Sequence, residues 1–267
     1  MSEDRGRPLC VLLTDFPLAD PYAGVMKGVV LGGAPDAVLV DLAHGLPAGD
    51  IAWAALQLRE QAGYFPAGAV FLAVVDPGVG TARRILAAEA GLYRFVGPDN
   101  GLLHPALVAL SGAAGPQIVA VDAEAVGLAP RSETFHGRDV MAPAAARLLA
   151  GAALETLGRP VDDPVALALP AARRAGAGWV GAVLAADGYG NLITSIESAL
   201  LEGGEWHVYL EGRDLGPVCR TFGSVASGAV VALVGSLRRI EIAVRDGSAR
   251  DRLRAAPGMQ VEVRPRS

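Results

Sequence analysis

The first part of the chain alternates short apolar runs with stretches whose apolar residues recur at helical spacing. Three runs have the length of buried strands and lie at residues 9–13, 37–40 and 70–75. Helices are predicted between them, over residues 21–31 and 51–61, each after an aspartate that we expect to cap it, Asp20 or Asp50. This order predicts right-handed strand–helix–strand units and a parallel sheet.

The pattern continues with mixed elements as far as residue 150. Residues 85–88 and 93–96 are predicted to pair as strands through Gly91, and residues 118–121 to form another strand. Residues 102–110 and an alanine-rich stretch that ends near Ala150 are predicted to be helical.

The composition changes after residue 160, where proline, alanine and glycine become frequent. Beyond residue 179, short β runs are separated by turns, at residues 180–186, 206–210, 230–234, 240–244 and 260–263. We therefore predict an α/β protein with three parts. An N-terminal α/β domain with a mainly parallel sheet spans residues 1–160, a linker spans 161–178, and a smaller all-β barrel or sandwich spans 179–267.

Composition and charge narrow the class of protein. Of the 267 residues, 52% are hydrophobic and 19% are charged, the net charge is −5, and no basic block suggests a nucleic-acid partner. Cys10 and Cys219 lie far apart, and Cys10 opens an apolar strand, so we expect it to be a buried free thiol. The run at residues 9–13 is too short for a signal peptide, and no run is long enough to cross a membrane. A soluble cytoplasmic protein with no membrane partner is predicted.

Acidic residues end three of the predicted strands: Asp15, Asp41 and Asp76. Because ligands of open α/β sheets bind at the carboxyl ends of the strands, these acids are candidate ligand contacts. They could hold Mg²⁺, or accept hydrogen bonds from a ribose diol, or each simply cap a nearby turn.

The stretch from Asp76 to Arg83 joins an acid and a base through a glycine-rich turn. The turn is neither a P-loop nor a G-x-G-x-x-G motif, since Arg83 occupies the third glycine position, and it could be an ordinary surface turn. His136 precedes a helix start, where a neutral imidazole that takes up a proton, a cap and a buried hydrogen-bonded histidine are all plausible.

Other kinds of site lack their motifs. Histidine and cysteine spacings typical of zinc are absent, so no zinc site is predicted and no residue is assigned as a metal ligand. The G-x-S-x-G elbow is absent too, so a serine hydrolase of that type is not expected. In the β region, residues 187–194 form either a plain hairpin or a ligand contact, in which Tyr189 would stack and Asn191 would hydrogen-bond to the edge of a ring.

Several stretches together resemble one family, the S-adenosyl-L-methionine (SAM) hydrolases or SAM hydroxide adenosyltransferases, which are related to the SAM-dependent fluorinase and chlorinase. They occur in the family's order along nearly the whole chain: TDF at 14–16, DPY at 20–22, MKG at 26–28, VDPGVGT at 75–81, PDNGLL at 98–103, TFHGRD at 134–139 and DGYGNLIT at 187–194.

The resemblance implies a fold and a reaction. An N-terminal α/β domain and a C-terminal β-barrel are expected, in a homotrimer whose substrate pocket lies between the N-terminal domain of one subunit and the C-terminal domain of the next. The implied reaction converts SAM and water to adenosine and L-methionine, with no cofactor.

The resemblance also implies roles for individual residues. Asp76, Arg83 and His136 match the set that orients and activates the attacking water, with the neighbouring Arg84 as an alternative to Arg83 that the spacing disfavours. The substrate contacts implied are Asp15 for the ribose hydroxyls, Asp20, Asp187 and Ser236 for the methionine end, Asn191 for adenine, and Tyr189 and Phe222 for stacking on adenine.

Two alternatives remain at this stage. In the related halogenases a tyrosine replaces the acid at position 76, and because a carboxylate repels a desolvated halide, Asp76 favours water as the nucleophile. A non-catalytic module that binds SAM or adenosine is the other alternative. Arg238 and Arg245 depart from the family pattern and make the contacts of the C-terminal half of the pocket less certain.

Overall fold

The computed structural model describes residues 7–124, 131–201 and 203–266. The chain divides into two compact units between Leu169 and Pro170. This boundary falls inside residues 161–178, the predicted linker, whose exact limits stay a prediction. Within the described residues, none of the helices combines the length and the apolar character that a membrane span requires.

The N-terminal unit contains a sheet flanked by helices. Its strands are β1 (Leu9–Thr14), β2 (Val38–Ala43), β3 (Val70–Val74), β4 (Ile85–Ala90), β5 (Tyr93–Pro98), β6 (Gln117–Val121) and β7 (Gly158–Pro160). Its α-helices are α1 (Tyr22–Gly33), α2 (Ile51–Gln61), α3 (His104–Leu110) and α4 (Ala142–Leu149).

The sheet has the strand order β2-β1-β3-β5-β4-β6-β7. Strands β2, β1, β3 and β5 are parallel, which confirms the predicted parallel part of the sheet. Strands β4, β6 and β7 extend it by antiparallel pairing, so the complete sheet is mixed. The predicted β4–β5 hairpin is confirmed, and Gly91 turns it with a φ of 58°, a left-handed conformation that glycine adopts without strain.

Alternate side chains of the central strands build two cores, one on each face of the sheet. On one face Leu12 and Leu72 belong to a cluster with residues of α1 and α4. On the other face Val11 and Phe71 belong to a cluster with residues of α2 and α3. The central strands are therefore apolar on both sides, as their continuous apolar sequence predicts.

The two predicted helix caps have different outcomes. Asp50 caps α2, because its Oδ1 accepts a hydrogen bond of 2.9 Å from the backbone N–H of Trp53. The prediction for Asp20 is wrong: α1 begins one residue later than expected, Pro21 occupies its cap position, and no side chain caps this end. Proline fixes a helical φ there without needing a capping acid.

The C-terminal unit is a β-barrel. Its elements are β8 (Arg173–Ala175), β9 (Gly178–Ala186), β10 (Leu192–Glu197), β11 (Trp206–Leu210), β12 (Arg213–Cys219), β13 (Val230–Val234), β14 (Arg239–Val244), the helix α5 (Ala249–Leu253) and β15 (Gln260–Pro265). The order β10-β14-β13-β12-β11-β15-β9 closes on itself because β9 also pairs with β10, while β8 adds to β9 outside the closed ring. The predicted α/β protein with a smaller C-terminal barrel is confirmed.

Two barrel strands are missing from the sequence-based prediction. Strand β10 is buried along nearly its whole length, so it lacks the polar alternation that marks a strand with one exposed face. Strand β12 contains Gly216 and Pro217, residues that count against a strand when only the sequence is considered.

The thiol of Cys10 is buried in β1, as predicted, and forms no disulfide. Burial disfavours the thiolate and raises the pKa of Cys10 to about 12.

A cluster of aromatic rings around Phe71 provides a test of the N-terminal core. The Phe71 ring stacks on Phe95 with centroids 5.1 Å apart, and it makes T-shaped contacts with Phe65 and Tyr93. We expect Phe71→Ala to lower the free energy of unfolding by about 3–5 kcal/mol, measured by urea denaturation and far-UV circular dichroism. The control Tyr64→Ala, at a ring that is 76% exposed, should change it by less than about 0.5 kcal/mol. Equal effects of the two changes would contradict this assignment of the core.

Candidate active site

The carboxyl ends of β1 and β3 place two acids at the same edge of the sheet. These strands are parallel neighbours, and Thr14 pairs with Val74 at their ends. Asp15 directly follows β1, and Asp76 lies two residues after β3. The amide of Asn100 donates to the carbonyl of Val75 (2.8 Å) and so holds the chain just before Asp76.

Arg83 binds Asp76 through two hydrogen bonds. Its Nε donates to Oδ1 at 2.7 Å, and its Nη2 donates to Oδ2. The Asp76 and Arg83 side chains are only 6% and 9% exposed. Such a bidentate, nearly buried pair fixes the orientation of both groups and is much less screened by water than a surface pair.

His136 is the third member of this group. The Nη2 atom of Arg83 also donates to Nδ1 of His136, at 3.2 Å. A guanidinium has no acceptor, so Nδ1 of His136 must accept and the ring must carry its proton on Nε2. In this arrangement Nε2, the other ring nitrogen, is a hydrogen-bond donor.

Arg84, the alternative to Arg83, binds other acids. Its Nε donates to Asp99 Oδ2 and its Nη1 to Asp163 Oδ1, each at 2.6 Å. Both bonds raise the pKa of the Arg84 guanidinium. The structure thus brings Arg83, and not Arg84, to Asp76 and His136.

The backbone around His136 is held by close packing. A π-helical turn, Gly137–Met141, starts directly after it and leads into α4. A Cβ atom at Gly137 would lie 3.2 Å from Sδ of Met26, so a larger residue would require either the Met26 side chain or this turn to shift. The ring of Phe135 meets those of Phe16 and Tyr22 with centroids 5.9 and 5.4 Å apart.

These residues border a cavity of about 770 Å³ in the N-terminal unit. Asp15, Asp76 and His136 line it, together with the three aromatic rings, whereas Arg83 is not among its lining residues. The Asp15 Oδ2 atom accepts a hydrogen bond of 2.9 Å from the backbone of Gly49. Asp20 is exposed and does not line this cavity. A volume of this size suits a small organic molecule.

The C-terminal unit has its own cavity, of about 960 Å³. The structure brings together here all five predicted residues of this unit, Asp187, Tyr189, Asn191, Phe222 and Ser236. Tyr189 is 83% and Phe222 43% exposed, so both rings have faces available for stacking.

The three strand-end acids do not form one metal site. Asp41 binds Nζ of Lys27 (2.7 Å) and Nε2 of His44 (3.0 Å), and both partners lower the pKa of its carboxyl group. Among the described residues, no group of three or more histidine, cysteine, aspartate or glutamate side chains could hold a metal ion.

The comparisons with known proteins indicate one family. The model of the SAM hydroxide adenosyltransferase N-terminal domain matches residues 10–158, and that of the C-terminal domain matches residues 181–262. The chain belongs to the SAM hydroxide adenosyltransferase family. The predicted family is therefore confirmed.

Individual relatives support this membership. A protein of Thermus thermophilus named (R)-S-adenosyl-L-methionine hydrolase is 46% identical over 94% of this chain and 97% of its own length. A fluorinase of Actinopolyspora mzabensis is 26% identical over 76% of each chain. The crystal structure of an uncharacterized conserved protein from Thermotoga maritima superposes with a TM-score of 0.86 and 30% identity, covering 96% of this chain and 99% of that one.

Sequence reasoning missed two polar residues beside the sites of this family member. The His44 side chain is buried, and its Nδ1 forms a hydrogen bond of 2.7 Å with Oγ1 of Thr14, the last residue of β1, directly before Asp15. Glu241 lies within β14 and lines the second cavity. The sequence around Glu241 is an ordinary apolar strand, and no local signal distinguishes this acid from a solvent-facing one.

The Asp76–Arg83 pair gives a testable energetic prediction. We expect Arg83→Gln to lower the free energy of unfolding by about 3–5 kcal/mol, since it leaves a buried carboxylate without its partner. Adding Asp76→Asn should recover part of this loss, with a coupling energy of about 1–3 kcal/mol in a double-mutant cycle. The exposed pair Arg266–Glu205, whose side chains are 63% and 65% exposed, should couple by less than about 1 kcal/mol. Additive effects at Asp76 and Arg83 would contradict the prediction.

Proposed function

We propose that the chain hydrolyses SAM to adenosine and L-methionine by attack of a water molecule on the ribose C5′ carbon. The observation that carries the proposal is the contact of one guanidinium, Arg83, with both Asp76 and His136 at a cavity of substrate size. The family membership and the name of the Thermus relative support this choice of substrate and reaction.

The chemistry needs a positioned nucleophile and no acid for the leaving group. The water oxygen forms a bond to C5′ while the C5′–S bond breaks. The electron pair of the C5′–S bond stays on sulfur, and neutral methionine leaves. In the proposed site, Nε2–H of His136 donates to the water oxygen and directs a lone pair at C5′. Asp76 accepts a hydrogen bond from the water and then its proton, while Arg83 keeps this carboxylate in place.

The remaining residues are proposed to bind the substrate. Asp15 would accept hydrogen bonds from the ribose hydroxyls, and Asn191 would bind the edge of adenine between the rings of Tyr189 and Phe222. Asp20, Asp187 and Ser236 would face the methionine end. Each ring that stacks on the base would contribute about 1–3 kcal/mol, by analogy with nucleic-acid-binding proteins.

We also propose a cytoplasmic homotrimer in which the N-terminal unit of one subunit and the C-terminal unit of the next share each substrate pocket. The stacking residues Tyr189 and Phe222 line the C-terminal cavity and not the N-terminal one, whereas Asp76 and His136 of the water site line the N-terminal cavity and not the C-terminal one. Leu18, Tyr22 and Val25 near the N-terminal cavity are 80%, 44% and 40% exposed, which favours a covering partner.

Asp76→Asn and His136→Ala are each expected to lower kcat for adenosine release about 10²–10⁴-fold, because each removes a group that holds or deprotonates the water. Chromatography of adenosine and methionine, with SAM in halide-free buffer, measures this. The control His207→Ala, at a histidine that pairs with Asp214 outside both cavities, should keep wild-type activity.

Other outcomes of the same assay would contradict the proposal. Formation of 5′-halo-adenosine when chloride or fluoride is added, with no adenosine in its absence, would indicate a halogenase. Binding of SAM that stays intact for hours would indicate a non-catalytic binding module. Unchanged turnover in both variants would show that the water site lies elsewhere.

The shared pocket can be tested by mixing subunits. Light scattering should give three times the mass of one chain. Co-expression of His136→Ala with the double variant Tyr189→Ala/Phe222→Ala should restore activity above that of either parent, because about a quarter of the pockets in random trimers would then combine two intact halves. If each pocket belonged to one subunit, no intact pocket would form and activity would not recover.

A further inference from the structure

The C-terminal cavity contains an acid, Glu241, for whose carboxylate the described part of the chain provides no partner. Glu241 is 7% exposed and lines the cavity together with Asp187 and Ser236. Among the residues that the structure describes, no side chain or backbone group forms a hydrogen bond or an ion pair with its carboxylate. Buried carboxylates are normally paired, so we expect a hydrogen-bond donor or a cation of a ligand to pair with this one.

A glycine beside the Glu241 carboxylate leaves room for this group. The neighbouring residue across the β13–β14 turn is Gly235, and a Cβ atom there would overlap Oε2 of Glu241. Strand β14 is buried along its whole length, and the Glu241 side chain borders the cavity. Any side chain larger than glycine at position 235 would displace the acid from this position.

The lack of a partner has an electrostatic cost. Burial, and secondarily the negative charge of Asp187, raise the pKa of Glu241 to about 6. Glu241 is therefore mostly ionised at neutral pH, but a bound cation would stabilise its charge further. Cation binding should accordingly weaken as the pH falls through 6 and Glu241 takes up a proton.

Asp187, which the sequence singled out, is already engaged. Its Oδ1 accepts from the backbone N–H groups of Tyr189 and Asn191, each at 2.9 Å. Its Oδ2 accepts from the side-chain amide of Asn191 at 3.0 Å. These three bonds build the turn between β9 and β10, so most of the acceptor capacity of Asp187 is used within the turn.

We propose that Glu241 binds the α-ammonium group of the amino-acid moiety of SAM. This inference rests on the proposed function, because it takes SAM as the ligand. A sulfonium has positive charge but no N–H donor, and the adenine amino group has donors but no charge, whereas the ammonium offers both to a desolvated carboxylate. Arg220 and Arg245 line the same cavity and offer positive charge to the carboxylate of the same zwitterion.

Two unreactive ligands isolate the ammonium contact. S-adenosyl-L-homocysteine carries the amino-acid group on a thioether, and 5′-methylthioadenosine shares the adenosine and thioether but lacks the amino-acid group. Calorimetry at pH 7.5 should show that Glu241→Gln weakens binding of S-adenosyl-L-homocysteine about tenfold or more. Binding of 5′-methylthioadenosine should change less than about twofold.

The matched control is Glu205→Gln, at an exposed glutamate of the same unit that does not line the cavity, and it should affect neither ligand. Equal weakening of both ligands by Glu241→Gln would overturn the inference, because Glu241 would then only shape the cavity. Unchanged binding of S-adenosyl-L-homocysteine would overturn it as well.

The wild-type protein gives a second test that needs no variant. Between pH 7.5 and 5, affinity for S-adenosyl-L-homocysteine should fall about tenfold relative to that for 5′-methylthioadenosine. The other titratable or charged groups that line this cavity are Asp187, Tyr189, Arg220, Arg245 and Asp246. If Glu241→Gln folds and keeps the same relative pH dependence, another of these groups is responsible and the inference fails.

The binding tests and the hydrolysis assay fail independently. If SAM is not hydrolysed but Glu241→Gln selectively weakens binding of S-adenosyl-L-homocysteine, the proposed reaction is wrong and the role of Glu241 holds. If SAM is hydrolysed but Glu241→Gln weakens binding of S-adenosyl-L-homocysteine no more than binding of 5′-methylthioadenosine, the proposed reaction holds and the role of Glu241 is wrong. Binding of neither ligand to the wild-type protein would overturn the inference.

Discussion

A guanidinium can donate hydrogen bonds but cannot accept them, and this constraint organises the N-terminal site. Arg83 satisfies both oxygens of Asp76 and at the same time sets the tautomer of His136. Without Arg83, Asp76 would be a buried charge without a counter-charge, and His136 would be free to place its proton on either nitrogen. One side chain therefore decides which atom of the site accepts hydrogen bonds and which donates them.

The fold brings this constraint about by placing distant segments at one edge of the sheet. Asp76 follows β3, Arg83 precedes β4, and β5 lies between these two strands. His136 lies on a separate loop next to Gly137, and a Cβ atom at Gly137 would come within 3.2 Å of Sδ of Met26 in α1. The register of the sheet and the packing of α1 thus contribute as much to the site as the identity of its residues.

The sequence was sufficient for the parts of this arrangement that local patterns encode. Apolar runs located the parallel strands, and the motifs around Asp76 and His136 located the candidate water site. Spacing in the sequence favours Arg83 over Arg84 but does not decide between them. The structure decides, because Arg84 binds Asp99 and Asp163, which are remote in the chain. The tautomer of His136 could not be predicted at all, because it depends on a hydrogen bond between residues on different elements.

The acid in β14 illustrates a further limit of sequence reasoning. In a half-exposed strand, an acid between apolar residues faces solvent, which is the ordinary interpretation of Glu241. Here every residue of β14 is buried, because the strand belongs to a closed barrel and also borders a cavity. Only the closure of the barrel turns an unremarkable strand position into a buried carboxylate.

The two cavities differ in how the charge of their acids is balanced. In the N-terminal unit, the positive charge of Arg83 balances the negative charge of Asp76, so the pair has no net charge. In the C-terminal unit, the oxygens of Asp187 accept hydrogen bonds within the turn, whereas none of the described residues forms an ion pair with Glu241. Asp76 is therefore fixed by a cationic side chain of the chain itself, whereas Glu241 remains available to a cationic group of a ligand.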